Sequence, residues 1–255
     1  MDPHVAAAVL EALALRPGEA VVEIGAGFGA LTEALLGTGS TVIAVERDRR
    51  LVRALKDRLG RRPHLQLVLG DILRLDWASL AVSPVVIAGN LPYGITSPLL
   101  DRIVQQRPQV LRAVLTVQRE VAQRVAAVPG TKAFGALTCF VQCHFEPSLM
   151  RVIPPNAFYP QPAVTSAIVR LTPREPPLVT QEELEPLTIV VQALFQRRRK
   201  TLVNGLLNPA LSLTRAEAMA LLREVGLDPA ARPETVPVPS FVALARAWMV
   251  LRQVL

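Results

Sequence analysis

The residues best suited to chemistry in this sequence are three acids and a glycine-rich turn, each placed where an apolar run ends. They are Glu23, Glu46 and Asp71, together with Gly25, Gly27 and Gly29 of the stretch EIGAGFG. Glycine lets a backbone take positive φ and lie close to a ligand. The spacing G-x-G-x-G differs from the G-x-G-x-x-G that seats a pyrophosphate on a helix N-terminus. The turn, with Glu23 just before it, therefore favours a ligand without phosphates.

Glu46 and Asp71 suit the two halves of a nucleoside. Glu46 ends the second predicted strand, where an acid can bind both hydroxyls of a ribose. Asp71 ends the third, where its carboxylate could accept from an adenine amine while Ile72 covers one face of the ring. Each acid alone could instead cap a helix or finish a strand. Together with the glycine turn they predict a nucleoside-like ligand, held at the carboxyl edge of a parallel sheet.

The stretch GNLPYGITSPLL follows the fourth predicted strand and combines an amide, a stiff backbone and an aromatic ring. If the nucleoside is S-adenosylmethionine, whose sulfonium methyl is electrophilic, the remaining task is to present a nucleophile in line. The Asn90 oxygen and the Leu91 carbonyl could accept from the exocyclic amine of a base. Pro92 would fix this backbone, and Tyr93 would stack on the base. We interpret the loop as a base clamp; the alternative is that Asn90 caps the next helix and Tyr93 packs in the core.

The elements that must position these residues are short strands that alternate with helices. Val- and Ile-rich runs without clean alternation are typical of strands buried on both faces of a parallel sheet. These runs are AVVEIG (20–25), TVIAVE (41–46), LQLVLGD (65–71), PVVIAGN (84–90) and LRAVLTVQ (111–118). Amphipathic stretches lie between them, so we predict a doubly wound α/β fold. Two later stretches, HFEPSLMRVI and AVTSAIVRLTP, could form an antiparallel pair of strands.

A linker rich in Pro and charge, TPREPPLVT (172–180), separates this part from a helical remainder. We therefore predict a first domain over residues 1–172 and a small all-helical domain over residues 173–255.

Composition restricts the class of protein. The chain has 255 residues and a mean hydropathy of +0.34, yet it contains no apolar run long enough for a membrane span. The stretch MDPHVAAAVLEAL has no basic region before its apolar residues, so we do not expect it to be a secretory signal. Cys139 and Cys143 lie four residues apart beside His144, but a fourth metal ligand is missing nearby. We expect buried reduced thiols, no metal and a cytoplasmic protein.

The charge of the chain favours a polyanionic partner. The formal net charge is +7, with 25 arginines and 3 lysines. The stretch FQRRRKTL places a basic run, Arg197, Arg198, Arg199 and Lys200, in a predicted helix, where four consecutive positions cannot all share one face. Arg119, with Arg124, follows the fifth strand near the predicted site. These residues could contact the phosphates of a nucleic acid; the alternative for the run is a solvated charged face.

Several blocks of the sequence resemble the ribosomal RNA adenine N6,N6-dimethyltransferase family, and the resemblance covers nearly the whole chain. The blocks are EIGAGFGALT, VERD, GDIL, NLPYGITSPLL, TVQREVAQRVAAVPGTKAFGALTCFVQ, NAFYPQPAVTSAIVRL, FQRRRKTLVNGLL and VGLDPAARPETVPVPSFVALA. The resemblance implies a Rossmann-like methyltransferase fold, a mostly parallel sheet with an antiparallel edge strand. It also implies transfer of methyl groups from S-adenosylmethionine to N6 of two adjacent adenosines near the 3′ end of small-subunit ribosomal RNA, within the immature particle.

The resemblance also assigns roles to particular residues. Gly25 and Gly27 would approach the methionine part of the cofactor, and Glu46 would take its ribose. Asp71 and Ile72 would hold the cofactor adenine. The target adenine would lie against the loop from Asn90 to Tyr93, and Phe158 of NAFYPQP would cover its other face, although plain core packing is an equal alternative for Phe158.

Two departures from the family pattern bear on activity. The family normally carries a GQNFL-like segment before the position of Asp2 that touches the cofactor, and this sequence begins at MDPH, so we expect it to lack that segment. Gly94 stands where the family often has Asn, which we expect to loosen the clamp.

Three other functions remain open at this point. One is a large-subunit ribosomal RNA adenine methylase of the erythromycin-resistance type, and another is a ribosome-assembly checkpoint factor with little turnover. In each case we expect the protein to be a monomer. A nicotinamide dehydrogenase is the third, and both the glycine spacing and the base clamp oppose it.

Overall fold

The computed structural model describes residues 2–81, 84–91, 93–197 and 199–254, and for Tyr93, Gln253 and Val254 it describes the backbone alone. The chain divides into two compact units. Unit 1 comprises Met1–Ala122 and Glu146–Pro173, and unit 2 comprises Gln123–Phe145 and Arg174–Leu255. A division at residue 172 alone would place Gln123–Phe145 in the first domain, whereas this segment belongs to unit 2.

Unit 1 is built on a seven-stranded sheet in the order β3-β2-β1-β4-β5-β7-β6. The strands are β1 (Ala20–Ile24), β2 (Thr41–Glu46), β3 (Leu65–Leu69), β4 (Val85–Asn90), β5 (Val110–Gln118), β6 (Phe145–Ile153) and β7 (Ser166–Pro173). The first five are parallel, and β7 runs antiparallel to β5. The predicted α/β class is therefore confirmed. Because β1 lies between β2 and β4, the strand order reverses there, and ligands of such sheets bind at the carboxyl ends around that reversal.

Helices cover the sheet and supply the core that its apolar strands require. They are α1 (Pro3–Leu13), α2 (Ala30–Leu36), α3 (Arg49–Leu59), α4 (Thr96–Gln105) and α5 (Arg119–Val125), which runs into unit 2. One core cluster joins α1, α2 and α3 to the inner positions of the strands, with Leu13, Leu35 and Leu55 fully buried. Asp2 and Asp48 accept backbone N–H groups at the starts of α1 and α3, which is the N-cap role expected of aspartate.

A buried arginine fixes the end of α1 against the sheet. Arg112 of β5 donates to the carbonyl of Ala14 at 2.9 Å and pairs with Glu19. The hydrogen bond from Arg112 lowers the pKa of the Glu19 carboxyl to about 2. This pair lies at the opposite end of β5 from Gln118, so it supports the scaffold rather than the predicted site.

Unit 2 is helical and packs around aromatic side chains. Its helices are α6 (Ala136–Gln142), α7 (Leu184–Phe195), α8 (Leu202–Leu206), α9 (Arg215–Val225) and α10 (Val238–Val254). Phe134, Phe195 and Phe241 contact one another in its core. Phe134 comes from the segment that a linear division assigns to the first domain, and its complete burial among the helices is the physical reason for the correction.

The predicted linker is only partly a linker. Strand β7 continues to Pro173, and two backbone hydrogen bonds, from Arg174 to His144 and from Leu178 to Cys143, then hold the chain to unit 2. Val179 is buried in the core of that unit. The chain does pass from unit 1 to unit 2 within this stretch rich in proline and charge. Its apolar residues, however, pack in unit 2, so the stretch is not a free connection.

The two cysteines are free thiols buried in unit 2. Burial raises the pKa of the Cys143 thiol to about 12 and that of Cys139 still further. Within the described ranges, no helix is both long enough and apolar enough to span a bilayer.

Candidate functional site

The carboxyl ends of β1, β2 and β3 are tied together by backbone hydrogen bonds. The N–H of Gly25 donates to the carbonyl of Val45 at 2.9 Å, and the N–H of Gly70 donates to the carbonyl of Glu46 at 3.0 Å. The glycine turn, Glu46 at the end of β2 and the residues that follow β3 thus share one edge of the sheet, as the sequence predicts.

The glycine turn combines an open side with a closed one. Gly25 and Gly27 have φ of +72° and +57°, and a Cβ at either position would meet no atom closer than 3.9 Å. Gly29 also has positive φ, but a Cβ there would lie 2.5 Å from a methyl carbon of Leu55. The first two glycines therefore leave space for a ligand to approach the backbone, whereas the third allows α2 to pack on α3.

Glu46 is held at this edge by three backbone N–H groups. Its Oε2 accepts from Gly27 at 2.9 Å, and its Oε1 accepts from Arg47 at 2.8 Å and from Asp48 at 2.9 Å. These bonds fix the plane of the carboxylate beside the open glycines. Oε2 accepts a single N–H from the described residues, so it has the greater remaining capacity to accept a ligand hydroxyl.

Glu23 lies beneath the turn rather than on its surface. Only 2% of the residue is exposed, and its Oε2 accepts from the Thr32 hydroxyl of α2 at 2.6 Å. Burial raises the pKa of the Glu23 carboxyl to about 7, the hydrogen bond from Thr32 opposes the shift, and the charge of Glu46 adds to it. This geometry favours a supporting role for Glu23, because its contacts join β1 to α2.

Asp71 and Ile72 form the third side of the edge. The sequence pattern places Asp71 at the end of the third strand. Strand β3 ends at Leu69, however, so Asp71 lies two residues beyond it. Its Oδ1 accepts from the N–H of Leu73 at 3.0 Å, which makes a tight turn. The carbonyl of Ile72 accepts from the Trp77 indole at 3.1 Å, and the Ile72 side chain is buried.

The predicted base clamp begins at the carboxyl end of β4. Asn90 is the last residue of that strand and pairs in register with Thr116 of β5. Leu91 is buried, and its N–H donates to the carbonyl of Thr116 at 3.1 Å. Gly89 is a requirement of packing, because a Cβ there would lie 2.9 Å from Leu91 Cδ2 and 3.2 Å from the carbonyl oxygen of Ile24.

Asn90 is not the N-cap of the next α-helix. Helix α4 starts at Thr96 with Ile95 as its N-cap, and the Ile95 side chain makes no capping bond. Tyr93 opens a short 3₁₀ helix, Tyr93–Ile95, that leads into α4. Pro92 and the side chain of Tyr93 lie outside the described residues, so their predicted roles stay predictions.

Phe158 packs against the core, as one of its two alternatives predicts. It follows the short 3₁₀ helix Pro155–Ala157, is half-buried, and packs against the core cluster of unit 1. The next residue, Tyr159, is 94% exposed. The core packing of Phe158 is thus observed, while contact with a target base stays a prediction.

Comparisons with known proteins identify the family of this chain. A sequence profile described as "Ribosomal RNA adenine dimethylase" matches residues 1–246. This chain belongs to that family. It is 40% identical over 247 residues to "Ribosomal RNA small subunit methyltransferase A" of Myxococcus xanthus, covering 96% of this chain and 87% of the relative. It is 42% identical over 252 residues to the protein of the same name from a Synechococcus strain, covering 96% and 88%.

Two solved structures share the fold over nearly their whole length. A dimethyladenosine transferase from Plasmodium falciparum superposes with a TM-score of 0.82 at 25% identity, covering 95% of this chain and 94% of the other. The 23S rRNA methyltransferase ErmE superposes with a TM-score of 0.76 at 28% identity, covering 98% of each chain. The Rossmann-like methyltransferase fold expected from the sequence resemblance is confirmed.

The basic residues of this dimethylase-family chain fall in two places. Arg119 directly follows β5, is exposed, and donates its N–H to the Thr165 carbonyl at 3.0 Å, so it lies at the carboxyl edge of the sheet in unit 1. The basic run lies in unit 2, but the prediction that it is helical is wrong: α7 ends at Phe195 and α8 starts at Leu202. Arg198 lies outside the described residues.

The phase of the apolar residues explains why the helix stops. Leu187, Val191 and Leu194 form the buried face of α7, and continued helix would put position 198, an arginine, on that face. Leu202 and Leu206 are buried residues of α8, a separate helix whose apolar face does not continue that of α7. The chain therefore breaks its helix between them and exposes the charges.

Sequence reasoning missed two threonines of this site. Thr32 donates to Glu23 from α2. Thr116 lies beside Asn90, and its hydroxyl is buried with no hydrogen-bond partner among the described residues. Each is a lone hydroxyl within an otherwise apolar stretch, ALTEALL or AVLTVQ, and that interruption is the signal that could have found them.

Proposed function

We propose that this protein transfers methyl groups from S-adenosylmethionine to N6 of two adjacent adenosines near the 3′ end of small-subunit ribosomal RNA. The observation that carries the proposal is the shared carboxyl edge of β1 to β5. At this edge, the open glycine turn follows β1 and the carboxylate of Glu46 lies at the end of β2. Asn90 and Leu91 lie at the end of β4, the strand on the other side of β1. Membership of the ribosomal RNA adenine dimethylase family supports the same reaction.

The residues on the cofactor side fit a nucleoside that carries an amino-acid chain. Gly25 and Gly27 leave open space beside their backbone, which suits the methionine part. Glu46 offers Oε2 to ribose hydroxyls, while Asp71 with buried Ile72 suits the adenine. When bound, S-adenosylmethionine supplies an electrophilic methyl group on its sulfonium. Glu23 and Thr32 hold the turn from below.

The acceptor side must make a poor nucleophile reactive. The lone pair of an exocyclic adenine amine is delocalised into the ring, so the amine gains reactivity when its two hydrogens are held out of the ring plane. The Asn90 oxygen and the Leu91 carbonyl are the two acceptors for those hydrogens. The Leu91 N–H bond to Thr116 and the packing of Gly89 on Ile24 fix the backbone that carries both acceptors, which contributes to the positioning that catalysis requires.

Asn90 is uncharged, so it orients the amine rather than acting as a strong base. The proton of the methylated amine then leaves to water. Tyr93 and Phe158 would stack on the two faces of the target base, and a base must leave its helical stack to reach such a site. An unpaired or particle-presented strand is therefore the preferred substrate.

The substrate is ribosomal RNA in the immature small-subunit particle, and the protein acts on it as a monomer in the cytoplasm. Curated relatives from Myxococcus and Synechococcus carry the small-subunit name. The likeness to ErmE, whose own name specifies 23S rRNA, makes modification of the large subunit the second candidate. A checkpoint factor with little turnover is the third.

One experiment separates the three candidates. Immature small subunits and large subunits that lack the modification would be incubated with the protein and S-adenosylmethionine carrying a labelled methyl group, followed by mass spectrometry of the nucleosides. We expect N6,N6-dimethyladenosine in small-subunit RNA alone. Dimethyladenosine confined to the large subunit would replace the proposal with the second candidate, and stable particle binding without methylation would replace it with the third.

A further inference from the structure

Thr116 of β5 carries a buried hydroxyl group that bonds to nothing around it. Only 2% of the residue is exposed, and its Oγ1 has no hydrogen-bond partner among the described residues. On one side of it, β7 places the apolar Ile168 in register. Burying a hydroxyl without a partner costs free energy, and valine, which has nearly the same shape, avoids that cost. The hydroxyl is therefore unfavourable for folding at this position, which points to a role in function.

Asn90 is the polar neighbour that this hydroxyl can reach. Strand β4 places Asn90 in register with Thr116 on the other side. Ala88 and Val114, two residues earlier on the same strands, both belong to the core cluster of α1, α2 and α3. Because side chains alternate between the faces of a sheet, Asn90 and Thr116 point to that same face. Adjacent strands lie about 4.8 Å apart, so rotation of the two side chains brings the amide and the hydroxyl within hydrogen-bond distance.

The order of the strands gives the Asn90 amide a direction. Strand β4 lies between β1, which leads into the open glycine turn, and β5, which carries Thr116. The amide has an acceptor, Oδ1, at one end and a donor, Nδ2, at the other. When Nδ2 donates to Thr116, Oδ1 faces β1, the side on which the methyl donor lies in the proposed function. The reverse orientation would set the N–H groups of Asn90 against those of the target amine.

We propose that Thr116 is a positioning residue for methyl transfer. Its hydroxyl accepts from Asn90 Nδ2 in the complex with the target base and thereby holds Asn90 Oδ1 toward the amine. The inference rests on the proposed function, in which Oδ1 accepts from that amine. The bond is not formed in this structure, where Thr116 Oγ1 has no partner. It forms when the base enters, because the amine then fixes the other end of the amide.

The test uses two substitutions of Thr116 and a matched control. Thr116→Val removes the hydroxyl and keeps the shape of the side chain, whereas Thr116→Ser keeps the hydroxyl. The control is Thr96→Val: Thr96 is also 2% exposed and its Oγ1 also lacks a partner among the described residues, but it lies at the start of α4. Methylation of immature small subunits would be measured over a range of RNA and cofactor concentrations, together with urea unfolding of each variant.

The expected result is an enzyme that is slower and more stable. Thr116→Val should lower turnover about tenfold, the scale of one lost hydrogen bond, with the KM for RNA within about twofold of the wild type. Thr116→Ser should keep turnover within about threefold and Thr96→Val within about twofold. Thr116→Val should also unfold at a higher urea concentration, because no unpartnered hydroxyl is buried. Normal turnover in Thr116→Val, or an equal fall in Thr96→Val, would overturn the proposal.

A double variant tests whether Thr116 acts through Asn90. In Asn90→Ala the amide is absent, so the addition of Thr116→Val should lower turnover by less than about twofold further. A full tenfold fall in both backgrounds would show that the two side chains act independently, which contradicts the proposed hydrogen bond.

Nuclear magnetic resonance separates failure of this inference from failure of the proposed function. The Nδ2–H signals of Asn90 would be recorded with S-adenosylhomocysteine and adenosine bound. We expect one signal to move downfield in the wild type and in Thr116→Ser, but not in Thr116→Val. No such shift in a wild type that methylates small subunits would refute the inference and leave the proposed function intact. The shift in a protein that methylates no ribosomal particle would support the hydrogen bond and remove the proposed function.

Discussion

The two loops that meet at the carboxyl edge of unit 1 use glycine in opposite ways. At the turn after β1, Gly25 and Gly27 have positive φ and open space beside them. At the end of β4, Gly89 is packed so tightly that a Cβ would meet Leu91 and Ile24. In the proposed function, the first loop admits a ligand, whereas the second holds a carbonyl and an amide in place. In the turn, glycines leave space beside the backbone that a ligand could occupy. At the end of β4, a glycine instead lets neighbouring side chains and backbone pack closely, which makes this segment rigid.

The largest effect should come from the rigid loop. Asn90→Ala removes one of the two acceptors for the amine, and we expect turnover to fall at least about 100-fold, the scale of losing one oriented hydrogen bond in a transition state. S-adenosylmethionine affinity should change less than about threefold, because the cofactor is held on the other side of the edge. Single-turnover methylation and a cofactor titration would measure the two effects. Near-normal turnover would remove Asn90 from catalysis.

The next effect concerns the group beneath the open turn. Glu23 has its pKa raised to about 7 in the folded protein, so the neutral acid is the form that folding favours. Its contribution to stability is present below about pH 4.5 and is lost as pH rises toward 7. Glu23→Gln should therefore unfold with a free energy about 2 to 3 kcal/mol higher than the wild type at pH 8, with little difference at pH 4.5. Urea unfolding at the two pH values would test this, and equal differences at both would contradict the pKa shift.

A pair of glycine substitutions compares the two loops directly. Gly89→Ala forces a methyl against Leu91 and Ile24, and we expect a loss of about 1 to 3 kcal/mol in the free energy of unfolding and slower methylation. Gly27→Ala strains a positive φ and fills ligand space, so we expect a smaller loss of stability, about 1 kcal/mol, and weaker cofactor binding. If Gly89→Ala weakened cofactor binding more than Gly27→Ala did, the contrast between the loops would be incorrect.

The smallest effect should come from the acid on the cofactor side. Glu46→Gln keeps the shape of the side chain but loses an acceptor at the ribose position and weakens the bonds from Gly27 and Arg47. We expect cofactor affinity to fall about tenfold, equivalent to about 1.4 kcal/mol. Turnover at saturating cofactor should remain within about threefold of the wild type. Isothermal titration with kinetics at several cofactor concentrations would measure both, and a loss of turnover with normal affinity would reverse the assignment.

The central strands β1, β2, β4 and β5 could be predicted from the sequence because they are buried on both faces. The expectation of burial on both faces is wrong for β3, which lies at one end of the sheet and is partly exposed. Runs such as TVIAVE leave no polar face, so few other structures can bury them, and β2 begins and ends where the run does. The end of β3 differs from the prediction. Gly70 and Asp71 extend the run in the sequence, but the strand stops at Leu69, and the Asp71 side chain accepts a hydrogen bond in a tight turn. The ends of strands are hard to predict because local side-chain hydrogen bonds compete there with the hydrogen bonds between strands.

The predicted site residues were brought together because parallel strands all end at one edge. Glu46, Asn90 and the turn after Glu23 each follow a strand, so fold class alone implied their proximity. Burial was not predictable in the same way. Glu23 and Glu46 look equivalent in the sequence, yet one is enclosed against Thr32 and the other is held at the surface by backbone N–H groups.

The sequence by itself determined the α/β class, the family and the order of the site residues, because these follow from local apolar patterns and from motifs within short stretches. Only the tertiary structure decided that Gln123–Phe145 packs with the C-terminal helices and that the basic run leaves its helix. Such outcomes depend on which distant apolar groups are buried together, and no local pattern carries that information.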